Sequence, residues 1–197
     1  MTLLAAAVSQ ARQSDAPPDV TVWLRNATVA APGSVDRAKM MAKSMFAAIG
    51  VNLAWREAGT NHDPDAAVSV TIEMTEGSAG DHQSDALAEA YPFAGGAKSI
   101  VIRYDRVRDT AGLSKALEPL LLGHVIVHEL AHVLQCVDRH SDSGIMKARW
   151  TPEDYYEMRW KPMSFSAEDI ELIHLGMDVL RSHTEATPAA VSPLHTR

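Results

Sequence analysis

Residues 119–146 read PLLLGHVIVHELAHVLQCVDRHSDSGIM, and the rest of the chain is best understood outward from them. From Pro119 to Gln135 the pattern predicts one buried helix. Pro119 suits a first-turn position, where its missing N–H costs nothing. Leu120, Leu121, Val125, Val127, Leu130, Ala131, Val133 and Leu134 leave little polar face, so each polar residue on the helix is expensive and needs a reason. His128 and His132 stand at i and i+4 and project from the same face one turn apart. Two imidazoles so placed reach a single cation at Zn–N distances of about 2.0–2.1 Å. Glu129 is rotated about a quarter turn from His128 and need not ligate. It is placed to hold a metal-bound water, take its proton and pass that proton to a leaving amine. This is the physical content of an HExxH pattern. The expectation is therefore zinc-dependent hydrolysis of peptide bonds, with His128 and His132 on the metal and Glu129 as general base. The plainer alternative is a pair of satisfied core histidines. His124 is also in register, but it lies about 12 Å from His132 along the axis, too far for one zinc to take both; it reads as packing or as support for the site.

The composition fits one compact domain. The chain has 197 residues, 46 % apolar and 22 % charged, enough for a single core and too short for two comfortable ones. A formal net charge of -7 offers no electrostatic attraction to nucleic acid or to an anionic membrane. No stretch reads as the ~20 apolar residues of a transmembrane helix. Cys136 is the one cysteine, so no internal disulfide forms. Leu3 to Val8 is a short apolar run followed by Ser9-Gln10-Ala11, a small-x-Ala pattern suited to signal-peptide cleavage. We read residues 1–19 as a tail, the remnant of an export signal, and expect an exported protein; a frayed tail is the alternative.

Before the helix, the alternating, β-branched run Val20 to Arg25 predicts a strand. Ser34 predicts an N-cap for a helix to about Ile49, stopped by Gly50, with Met40, Met41, Met45 and Phe46 as core. Val51 to Arg56, Val68 to Met74, a short edge strand Leu87 to Tyr91, and Ser99 to Tyr104 predict further strands. His62, Asp63 and Asp65 in the loop Glu57 to Ala66 read as a solvated turn. After the site, Ser166 with Asp169 at N3 predicts a helix to Arg181. Residues 184–197 read as a disordered tail. The fold class is α/β (α+β): a mixed twisted sheet in one domain spanning residues 20–183.

The segment HELAHVLQCVDRHSDSGIM is similar to the metzincin signature, HExxHxxGxxH followed by a tight turn containing methionine. Gly144-Ile145-Met146 resembles that Met-turn, which implies that Met146 lies beneath the metal. Ser141 after His140 resembles the His-Ser pair ending the matrixin signature. Leu87-Ala88-Glu89-Ala90-Tyr91-Pro92 with Gly95-Gly96 resembles the matrixin edge strand that binds substrate. The segment also resembles bacterial metzincin-like proteins with seven residues between HExxH and His-Ser. There are departures. Gln135 stands where metzincins carry glycine, and Asp138 where they carry the third histidine. We take His140 as the third ligand, reached by a longer loop in which no single residue is forced to positive φ. Asp138 is the alternative third ligand or a partner of the ligands. Glu89 replaces the histidine that matrixins use for a second, structural zinc, so that site is not expected. The resemblance implies a peptide or protein substrate.

Two other readings stay open. A zinc-stabilised binding protein would have no turnover, although a structural site has no use for Glu129. An HExxH peptidase with a glutamate third ligand would draw on Glu168 or Glu171, acids that the positive end of a helix dipole explains as well. Trp150, Tyr155, Tyr156 and Trp160 either line a pocket or pack.

Overall fold

The computed structural model describes residues 18–57, 68–77, 86–92, 98–112 and 114–185. The expectations for the N-terminal tail up to residue 17, for His62, Asp63 and Asp65, for Gly95-Gly96 and for the tail beyond residue 185 lie outside these residues. The order of elements is β1 (Val20–Asn26), α1 (Pro32–Ala47), β2 (Leu53–Glu57), β3 (Val68–Thr75), β4 (Ala88–Tyr91), β5 (Lys98–Arg103), α2 (Tyr104–Ala111), α3 (Leu117–Gln135), α4 (Pro152–Glu157) and α5 (Ala167–Glu185).

Five strands form one mixed sheet in the order β2-β1-β3-β5-β4. All neighbours are parallel except β4, which runs antiparallel to β5 at the edge. The period of two sorts the side chains. In β3, Val68, Val70, Ile72 and Met74 are buried, while the residues between them are partly or fully exposed. Register carries the buried row across the sheet: Leu24 pairs with Ile72, Ile72 with Ile100, Met74 with Ile102 and Ile102 with Ala88. Helix α1 packs on α3, and α3 reaches both β4 and β5. That contact sets the edge strand beside the histidine-bearing helix.

Several local expectations are corrected. Helix α1 starts at Pro32 rather than after Ser34, and its N-cap, Ala31, makes no side-chain capping bond. Proline at the first turn supplies a preset φ and lacks the N–H that a cap would have satisfied. Met40 is 67 % exposed, whereas Met45 and Phe46 are buried. Tyr104 opens α2 instead of closing β5, because Tyr104, Val107 and Ala111 share one buried helical face. The α4 turn begins with a full capping box, Thr151 with Asp154. Helix α5 continues to Glu185, past the expected boundary at Thr184. Its start is as read: Ser166 Oγ accepts from the Asp169 N–H at 3.1 Å.

Helix α3 is also long and apolar enough to cross a membrane by length and composition, contrary to the reading above. It is instead almost wholly buried inside the fold, with Leu121, Leu122, Ile126, Leu130 and Leu134 fully enclosed. Helix α5 crosses its end at Gly176, where an added Cβ would lie 2.0 Å from the Leu134 carbonyl oxygen. Only glycine permits that approach.

Candidate metal centre

Helix α3 delivers His128 and His132 from one face, and the loop after it brings back His140. One ring nitrogen from each of the three lies within 4.8 Å of the others, close enough to bind a single metal ion. The Nε2 atoms of His128 and His132 are 3.0 Å apart. Two nitrogens bonded to one zinc at tetrahedral angles stand roughly 3.3 Å apart, so the pair needs to part by only a few tenths of an ångström. The His140 ring stacks on His128 and meets His132 edge-on. Asp138 lines the same cleft, and its charge favours the protonated form of His132, but it is not part of the three-residue cluster. Glu168 instead pairs with Arg139, and among the described residues neither it nor Glu171 joins the histidines.

The Nδ1–H of His128 donates to the Ile145 carbonyl at 2.8 Å. This fixes its tautomer and leaves the Nε2 lone pair for a cation. Burial pushes the pKa of His128 down to about 4, and neighbouring His132 and His140 push the same way. Burial, then His140, lowers that of His132. Both rings are therefore neutral at pH 7, the form that ligates metal. Nδ1 of His132 is buried without a hydrogen-bond partner; the Val137 backbone is near enough to favour its protonation but not to make a geometrically sound bond. Three imidazoles are a donor set suited to zinc or another divalent transition metal. His124 serves otherwise: fully buried, it bonds the Leu120 carbonyl through Nδ1 at 2.7 Å and accepts the Met163 N–H at Nε2 at 3.0 Å.

The loop behind the histidines is built from the turn at Gly144. Its φ of +74° suits glycine, and an added Cβ would meet the Ser164 carbonyl oxygen at 2.4 Å. Ile145 N–H donates to that same oxygen at 2.9 Å, and Met146 is fully buried. The expectation that no residue after the helix is forced to positive φ is corrected. Cys136 closes α3 in the left-handed conformation, φ 54°. A helix end that reverses the chain still requires such a residue, and the longer loop has only moved it one position beyond Gln135.

Glu129 lines the cleft with the histidines, a space of about 1000 Å³. Among the described residues no hydrogen bond or ion pair engages its carboxylate. Burial, helped by the Glu89 charge, raises its pKa to about 7. Glu89 itself is held below the usual carboxylate range by hydrogen bonds from Tyr91 and Arg103. Because Glu129 keeps its proton in the fold at pH values where an unfolded chain has lost it, folding is increasingly penalised as pH rises from about 4.5 to 7. In metal-free protein, Glu129→Gln is therefore expected to match wild type near pH 4 and to exceed it at pH 8, by as much as about 3 kcal/mol. Urea denaturation at the two pH values measures this; a difference that does not vary with pH speaks against the buried carboxylate.

One wall of the cleft is β4 with its flanks, and the other is the segment Lys147 to Trp150 with Tyr155. The Arg103 N–H donates to Leu87 across the sheet at 2.9 Å. Alternation in an antiparallel ladder then turns the backbone groups of Ala88 and Ala90 away from β5. Trp150 stands edge-on to His128 at 5.6 Å and to Tyr155 at 6.5 Å, so these two aromatics line the site, whereas Tyr156 and Trp160 are exposed at 62 % and 75 %. The Ile145 carbonyl, and Asp169 behind the His140 loop, were not found from the sequence. The second has a signal, the Ser166–Asp169 capping box, which by itself predicts only a helix start. No family model and no curated protein matches this chain.

Proposed function

We propose that the protein is a zinc-dependent endopeptidase of metzincin-like design, with zinc held by His128, His132 and His140 and with Glu129 as general base. The observation that carries the reading is the pairing of two features in one cleft: three histidine nitrogens within 4.8 Å, and beside them the buried carboxylate of Glu129 with no hydrogen bond or ion pair among the described residues. When bound, zinc acidifies water and polarises a carbonyl oxygen. A three-residue donor set leaves room for that chemistry, where a structural site takes a fourth protein ligand.

The remaining work falls to the chain itself. The Glu129 carboxylate, which no hydrogen bond or ion pair among the described residues engages, is free to accept a proton from water and return it to the departing amine nitrogen. The outward N–H and C=O groups of Ala88 and Ala90 accept an extended peptide as an added strand. Main-chain pairing of this kind is indifferent to side chains, which suits cleavage inside a chain. Trp150 and Tyr155 give the opposite wall an apolar surface that packs a substrate side chain and excludes water.

The test is digestion of an unbiased peptide mixture, read by mass spectrometry. Zinc-loaded protein is expected to cut internal bonds, to stop when a chelator strips the metal, and to resume when zinc is returned. A zinc-loaded protein that cuts nothing is a binding protein, and the proposal is then wrong.

A further inference from the structure

His140 has the least support of the three imidazoles. It is exposed, and among the described residues no hydrogen bond holds its ring, whereas His128 is fixed by the Ile145 carbonyl. Its place is therefore set by the backbone on either side. The side chains of those two neighbours converge on one atom. Ser141 Oγ donates to Oδ1 of Asp169 at 2.5 Å, and Arg139 Nη1 donates to the same oxygen at 3.2 Å and to Ser141 Oγ at 3.3 Å. Arg139 also pairs with Glu168.

Asp169 sits in the first turn of α5 and is 0 % exposed. Its other oxygen, Oδ2, accepts the N–H of Ser166 at 3.0 Å and its hydroxyl at 2.7 Å. Capping α5 thus occupies one oxygen only. A cap whose second oxygen stayed in water would serve the helix as well, at less desolvation cost. Here the second oxygen is taken out of water and given wholly to the loop. Ser141 also donates its N–H to the Met146 carbonyl at 2.7 Å and bridges to Lys147. The same node therefore ties the His140 loop to the turn that carries the Ile145 carbonyl.

We infer that Asp169 is a positioning residue: its Oδ1 atom holds Arg139 and Ser141 so that His140 is presented to the cation shared with His128 and His132. The inference rests on the metal-site reading above. Its competitor is a purely structural role, in which Asp169 stabilises the fold and the metal site is indifferent to it.

Zinc affinity of the full chain, measured by competition with a chromophoric chelator, separates the two when joined to the visible spectrum of cobalt-substituted protein. The variants are His140→Ala, Asp169→Ala and Ser141→Ala, alone and with the latter two each combined with His140→Ala. Asp169→Ala is expected to weaken zinc binding about 10–100-fold and to alter the cobalt bands. In the His140→Ala background it is expected to cost almost nothing further, because the effect passes through His140. Wild-type affinity in Asp169→Ala, or a loss that persists in full without His140, overturns the inference. If Asp169→Ala does not fold, Ser141→Ala takes its place under the same two criteria, since it deletes one hydroxyl and leaves the α5 cap intact. Zinc affinity unchanged by His140→Ala alone overturns the metal-site reading and this inference together. A loss in His140→Ala with none in the other single variants overturns the inference only.

Discussion

Glu129→Gln is expected to lower peptide hydrolysis by about 10²–10⁴-fold while leaving zinc binding intact. The amide keeps the size and polarity of the side chain but cannot accept a proton near pH 7. Glu129 is adjacent to His128 in sequence yet rotated off its face, so the three histidines lose no ligand. Nor is a partner orphaned, since among the described residues nothing bonds the carboxylate. The signature is therefore a split: kcat/KM collapses, and zinc stoichiometry and affinity stay near wild type. Steady-state kinetics on a fluorogenic peptide with metal analysis of the same sample measures both. A variant that cleaves at the wild-type rate removes Glu129 from the mechanism. The same substitution is expected to stabilise the metal-free protein at pH 8, and urea denaturation of the assayed sample separates loss of activity from unfolding.

His128→Ala and His132→Ala are each expected to weaken zinc binding on the order of 10²-fold or more, and hydrolysis with it. Zinc sites in small domains supply roughly 10–16 kcal/mol in total, so about 3 kcal/mol per ligand is a reasonable share, equivalent to about a hundredfold. His128 is expected to show the larger effect. Its Nδ1–H bond to Ile145 pre-orients the ring, and the truncation leaves that buried carbonyl unsatisfied. His132 has no such bond to lose. Zinc titration of the purified variants reads the ranking directly. Equal retention of zinc in both variants moves the metal elsewhere.

Much of this architecture was legible because periodicity reports it. The alternation from Val68 to Met74 and the apolar run from Leu120 to Leu134 each have a single comfortable solution, and the sheet and core helix follow from them. The edge position of β4 was legible from Pro92, which ends the strand. Less visible were short elements whose signals are brief. The helix Tyr104–Ala111 rests on three apolar positions, and the capping box of Thr151 and Asp154 is a four-residue pattern beside louder aromatics.

The site divided the same way. His128, Glu129 and His132 are fixed relative to one another by helix geometry, so sequence spacing alone places them. His140 depends on a loop, and loop geometry depends on residues far along the chain: Ser164 receiving Ile145, Asp169 receiving Ser141. The capping box marks Asp169 only as a helix start, and no local pattern pairs it with Ser141 or pairs Ser164 with Ile145. Cys136 shows the limit most sharply. A longer loop predicts no left-handed residue, yet α3 ends on one, Cys136, because a helix end that reverses the chain requires it whatever the loop length.

Diffraction from zinc-loaded crystals at the zinc absorption edge bears on the centre most directly. One anomalous peak is expected, about 2.0–2.1 Å from a ring nitrogen of each of His128, His132 and His140, with no fourth protein ligand. No peak among these three residues, or one closed by a fourth side chain, contradicts the peptidase proposal.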